Sequence, residues 1–109
     1  MGWLLRDGEV LASLLVAEDR ASRRTGLLGL DSFEGALLLL PARSVHTLRM
    51  RFPLDVAWLD GDLNVLRTAR LPPHRVTRPV LHARSVLEAE AGSFARWGLQ
   101  VGQQLERKD

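Results

Sequence analysis

Residues 44–55, SVHTLRMRFPLD, gather the side chains of this sequence best suited to chemistry: Ser44, His46, Thr47, Arg49, Arg51 and Asp55. A serine hydrolase would need a nucleophile, a base and an orienting acid in contact. Ser44, His46 and Asp55 are near one another in sequence, but no glycine elbow surrounds Ser44. Metal binding also has little support: His46, His74 and His82 are the only histidines, none is at ligand spacing from another, and there is no cysteine. Asp60-Gly61-Asp62 resembles the start of a calcium loop without its later glutamate ligand, and Asp is favoured at turns for backbone reasons. Two arginines on one face of a strand would stand roughly 7 Å apart, close enough to share a phosphate or carboxylate. A solvated face with acidic neighbours across the sheet is the favoured reading of Arg49 and Arg51.

Strand parity sorts this stretch further. As a regular strand, 44–52 would put His46, Leu48, Met50 and Phe52 on one face and Val45, Thr47, Arg49 and Arg51 on the other. The first set is mostly apolar and is expected to face the core, with His46 at its rim. Asp55 follows Pro53 on a strand that reads as buried. A buried carboxylate needs a partner, and Arg51 or a nearby backbone N–H is the expected one.

The elements that would position these residues can be read from turn chemistry and periodicity. WLLRDGEVLASLLV reads as a hairpin with a two-residue turn at Asp7-Gly8. A short helix follows, with Asp19 as N-cap and Gly26 or Gly29 as its end. ALLLL, residues 36–40, between Gly35 and Pro41, is a buried strand. Leu54–Leu59 and Leu63–Thr68 form a second hairpin about Asp60-Gly61, its first strand buried on both sides. PPHRVTRP is a loop. ARSVLEAEA is a strand with Leu87, Ala89 and Ala91 on one face and Glu88 and Glu90 on the other. Ser93 and Gly98 bracket a helical turn, and VGQQLE reads as a last edge strand. Trp3, Trp58 and Trp97 stand in apolar contexts and read as core.

Composition sets the outer limits. The chain's 109 residues suit one domain over 1–109, and 46% hydrophobic with 26% charged residues describes a globule that holds itself together by packing. Fifteen basic residues, all arginine except Lys108, are interleaved with thirteen acidic ones for a net charge of +2. Without a basic block or tail, and with few aromatics to stack on bases, nucleic-acid binding is disfavoured. No apolar run approaches the length of a membrane span. The amino-terminal apolar run is broken by Arg6, Asp7 and Glu9 and reads as strands rather than a signal peptide, so the expected location is cytoplasmic.

RTGLLG, SVHTLRMRFPLDVAWLD, SVLEAEAG and GLQVGQQL, in this order and spacing, resemble the family called domain of unknown function 192 over roughly residues 10–106. The histidine-threonine, methionine-arginine and phenylalanine-proline-hydrophobe-aspartate pattern resembles one branch of it. The resemblance implies a compact β-rich, barrel-like domain and no established activity. Many members have a longer tryptophan-methionine-lysine-asparagine-threonine segment where this chain has Met50-Arg51-Phe52-Pro53. The family's capping-box glutamate is also missing from the helix that starts at Asp19.

The fold expected is α+β and mainly β: a barrel-like antiparallel or mixed sheet of seven or eight short strands with one or two short helices. The leading functional expectation is a non-catalytic module that binds a small ligand or a protein partner around His46, Thr47, Arg49, Arg51 and Asp55, with no cofactor, metal or membrane. One alternative is an enzyme using a pocket around His46 and Asp55. Another is a nucleic-acid-associated module using surface arginines.

Overall fold

The computed structural model describes residues 2–109. In chain order the elements are β1 (Gly2–Arg6), β2 (Glu9–Ala17), α1 (Arg20–Thr25), β3 (Ala36–Leu39), β4 (Leu54–Leu59), β5 (Val65–Leu71), β6 (Ser85–Glu90), α2 (Ser93–Trp97) and β7 (Glu106–Lys108). The strands make one mixed sheet in the order β5-β4-β6-β3-β2-β1-β7. Only β2 and β3 are parallel. A parallel pair needs a crossover, and α1 with residues 26–35 supplies it. No helix among the described residues is long and apolar enough to cross a membrane.

Turn chemistry accounts for the hairpins. Asp7 and Gly8 both take positive φ, 52° and 81°, as a two-residue turn with the twist of its strands requires. The β4–β5 connection is longer than the Asp60-Gly61 turn expected from the sequence. Leu63 takes the positive φ of 65°, and Asp60 Oδ1 accepts from the N–H groups of Asp62 and Asn64, both at 2.9 Å. These bonds, with one from the Asn64 side chain, hold the Asp60 carboxyl below the usual carboxylate range. Its lone pairs serve the turn. α1 begins as expected, with Asp19 accepting from Ser22 N at 2.7 Å, and ends at Gly26.

The middle of the sheet is buried on both faces: all of β3 and β4, and β6 up to Ala89. On one face Leu38, Ala57, Leu59, Leu87 and Ala89 pack under Phe94 of α2 and under Leu99 and Leu105. On the other, Leu37, Leu39, Val56, Trp58 and Val86 pack under Leu27, Val45, Met50 and Phe52. Irregular chain does most of the covering on this second face.

Two expectations are corrected. The sheet has seven strands but does not close into a barrel; β5 and β7 are its edges. Residues 102–105 touch the start of β5, with Val65 N donating to Gln103 O and Leu105 N to Leu63 O, but β7 has only three residues and pairs with β1. Residues 44–52 are not a strand. Their only ladder contact is an isolated bridge from His46 to Val76. Arg49 takes a positive φ of 63° inside a turn closed by Met50 N donating to Thr47 O, and that turn reverses the parity. Val45 and Thr47 point inward and His46 and Leu48 outward, whereas Met50 and Phe52 point inward after it.

α2 is fastened from a distance. Its N-cap is Gly92, not Ser93, and Gly92 has no side chain to cap with. Asp55 does this from β4: its Oδ2 accepts from Gly92 N at 2.9 Å and Phe94 N at 3.1 Å, and its Oδ1 from Arg70 Nε at 3.1 Å. Asp55 is 4% exposed and its bond to Phe94 N is buried with it, so water is poorly placed to replace the cap. Asp55→Ala is expected to lower stability by about 3 kcal/mol in urea unfolding, because it orphans two backbone donors and uncaps the helix. Arg70→Ala, with a mostly exposed side chain, should cost under about 1 kcal/mol. Equal losses would mean that the ion pair, not the cap, carries the effect.

Candidate functional site

A cavity of about 520 Å³ opens on the second face, between α1 with the turn after it and the segment 41–50. This is within the usual range for small-molecule sites. Leu27, Leu28, Leu39, Val45 and Met50 supply apolar walls. Arg20, Arg23, Arg24 and Arg43 line it from α1 and from the facing segment, and His46 lines it too. All but the half-buried Arg23 are exposed, so the arginine cations and the His46 ring stand at the mouth. Arg23 Nη1 donates to Pro41 O at 3.3 Å, joining the two sides.

The 41–50 segment is held by polar bonds that substitute for a sheet ladder. Trp58 Nε1 donates to Arg43 O at 3.0 Å, Val45 N donates to Thr77 Oγ1 at 2.9 Å, and Thr47 N donates to Arg75 O. The Thr47 hydroxyl is fully buried; it donates to Pro72 O at 2.7 Å and accepts from Arg75 N at 2.9 Å. Thr47 therefore staples the 72–75 loop and has no free group to offer a ligand.

Of the residues singled out in the sequence, Ser44 and His46 line the cavity, whereas Thr47, Arg49, Arg51 and Asp55 do not. Arg49 is exposed, and its N–H meets His74 Nδ1 at 3.4 Å. Arg51 pairs with Asp31 at 2.9 Å, both well exposed, so Arg51 is not the partner of Asp55. Asp55 has the strand parity of Ala57 and Leu59, which pack into the first core. It lies on the opposite face of the sheet from the cavity, and the pairing of His46 with Asp55 does not form. Among the described residues no group of three or more His, Cys, Asp or Glu side chains converges as a metal site would require.

At the floor of the cavity lies Glu88, the only acidic side chain lining it. The sequence reading put Glu88 on a polar face opposite Leu87 and Ala89. Instead β6 is a central strand between β4 and β3, and Glu88 is 4% exposed between Val56 and Leu37. Burial alone pushes its carboxyl up from an ordinary 4.5 to about 7. Gly26 makes room for it: a Cβ there would stand 3.3 Å from Glu88 Oε1. One signal in the sequence could have pointed to it, namely a lone carboxylate within an otherwise apolar SVLEA.

Residues 4–107 match the model of the DUF192 family, described as an uncharacterised ACR. Two solved structures share the fold. One is a protein of unknown function from Novosphingobium aromaticivorans DSM 12444, 20% identical, with a TM-score of 0.81 over 96% of this chain and 82% of that one. The other, from Sinorhizobium meliloti 1021, is described as a "putative transcription regulator"; it is 21% identical, with a TM-score of 0.79 over 97% of this chain and 91% of that one. No curated protein matches the sequence.

The raised pKa of Glu88 makes stability depend on pH. From 4.5 to about 7 the folded chain keeps a proton that the unfolded chain releases. The contribution is therefore full below the unfolded value and is lost as pH rises through the folded one. Glu88→Gln removes the dependence. Relative to the parent, the variant is expected to gain stability as pH rises through this window, by on the order of 3 kcal/mol in total, and no more above it. Urea unfolding at a series of pH values checks this; a constant difference between the two proteins would contradict it.

Proposed function

The chain belongs to the DUF192 family, and we propose that it is a non-catalytic small-molecule-binding module whose ligand is an organic anion held in the cavity beside α1. We assign it to the branch marked by His46-Thr47, Met50-Arg51 and Phe52-Pro53-Leu54-Asp55. The observation that carries the reading is the make-up of the cavity: apolar walls below four arginines and a histidine. The ion pairs of the described residues involve Arg51 and Arg70, not these four. Guanidinium groups left without carboxylates, on two facing segments, suit a carboxylate or phosphate entering between them.

Binding is favoured over catalysis for a specific reason. A general base is held by an orienting partner, and no carboxylate among the described residues hydrogen-bonds His46. Asp55, the acid nearest in sequence, is committed to α2. The Ser44 side chain lines the cavity as well, without a base hydrogen-bonded to it.

Titration with caproate, followed by amide chemical shifts, tests the reading. Saturable shifts are expected in residues 20–28, 41–50 and 87–89. Arg24→Glu combined with Arg43→Glu should weaken binding about tenfold, or ~1.4 kcal/mol, with the fold intact because both side chains are exposed. Shifts that are scattered, that do not saturate, or that persist unchanged in the double variant would overturn it.

A further inference from the structure

The deepest polar group in the cavity has the opposite charge preference from its mouth. Among the described residues no hydrogen bond or ion pair reaches the carboxyl of Glu88, and burial alone acts on it. What little of Glu88 remains exposed faces the cavity. On either side in the sheet it meets Leu37 and Val56, which offer no donor. Glu90, on the same strand face, is engaged by Phe33 N at 3.2 Å. From α1 the charged groups lining the cavity are Arg20, Arg23 and Arg24, and from the 41–50 segment Arg43 and His46. None of these closes on Glu88.

We propose that the cavity takes a small zwitterion, with a protonated amine on Glu88 at the floor, an anionic group among the arginines at the mouth, and an apolar body between them. This rests on the binding reading above and names its ligand class. A desolvated carboxylate without a partner is costly, and a cationic N–H donor is the partner that relieves it most, since the attraction is strongest where water is excluded. The backbone of Gly26 lies against the carboxyl without a side chain, so the approach to Oε1 stays open. A ligand with only an anion would satisfy the mouth and leave the floor without a partner. The two ends thus set both the class of ligand and its orientation.

Calorimetric titration of the full chain with ε-aminocaproate, caproate and hexylamine tests this. The amine is expected to bring at least a tenfold gain of ε-aminocaproate over caproate at about pH 8. Below the pKa of Glu88 the carboxyl must lose its proton to accept the amine, so the gain should shrink about tenfold by about pH 6. Anything that acts on the anion end alone affects both ligands and cancels in their ratio. In Glu88→Gln, nearly isosteric and free of the buried charge, the ratio should fall close to one at both pH values. Caproate binding as tightly as ε-aminocaproate would overturn the inference and leave the anion reading standing. So would a ratio that holds or grows towards low pH, because an ammonium can only donate and needs the ionised Glu88 carboxylate to gain over caproate. If none of the three ligands binds, both readings fall. The pH dependence of the parent protein decides the matter even if the variant fails to fold.

Discussion

Burial of β3, β4 and β6 on both faces is the constraint from which the rest of this structure follows. Strands this apolar need cover on two sides, yet among the described residues there are two helices, of five and six residues. Loops must complete the cover, and loops bring backbone polar groups that have to be paired once water is excluded. Hence the long-range side-chain bonds: Thr47 and Thr77 between two loops, Trp58 to Arg43 O, and Asp55 to the start of α2. Among the described residues, the fully sealed side-chain polar atom without a partner is Ser85 Oγ.

The two faces meet this constraint differently, and the difference produces the site. On the first face a helix capped by a buried carboxylate sets Phe94 against the sheet, and residues 99–105 fill in behind it. On the second face the cover is a short helix with no buried residue of its own, followed by the turn carrying Leu27 and by the 41–50 segment opposite. Apart from the bond from Arg23 to Pro41 O, a cavity lined by both pieces and by Glu88 is left between them. A larger side chain at the glycine over the carboxyl, or an apolar one in place of Glu88, would bring the cover closer to continuous. As it stands, the centre of the sheet has a polar end that opens to solvent only through the cavity.

The parts of the fold legible in the sequence were those set by local chemistry. The Asp7-Gly8 turn, the Asp19 cap, the buried run 36–39 and the doubly buried β4 depend on neighbours a few residues away. The parts that were not legible depend on distant ones. The alternation of Leu87, Glu88, Ala89 and Glu90 has the period of a half-exposed strand, and only the position of β6 between β4 and β3 turns Glu88 inward. The cap of α2 comes from 37 residues away, so the nearby Ser93 was the natural but mistaken choice. Trp3 read as core, but its strand lies next to the sheet edge and leaves it 46% exposed. In 44–52 the parity argument assumed a regular strand, and a single positive φ at Arg49 reversed the faces. His46 lines the cavity, but by pointing away from the core rather than from the rim of an apolar strand face.

Residues 44–55 and the cavity draw on largely different side chains. Thr47, Phe52 and Asp55 are spent on the frame: a loop staple, a core contact and a helix cap. The residues that give the cavity its charge come from elsewhere, from α1, from Arg43 and from the centre of β6. Substituting the exposed arginines of α1 or Arg43 breaks no side-chain bond that holds the sheet's cover, since Arg43 engages Trp58 through its backbone oxygen. The arginines at the mouth can therefore be exchanged without touching the frame, whereas Glu88 is confined between two strands. Under the proposed binding role, a change of ligand class would require a change at Glu88, and a change of affinity within a class would require only the arginines.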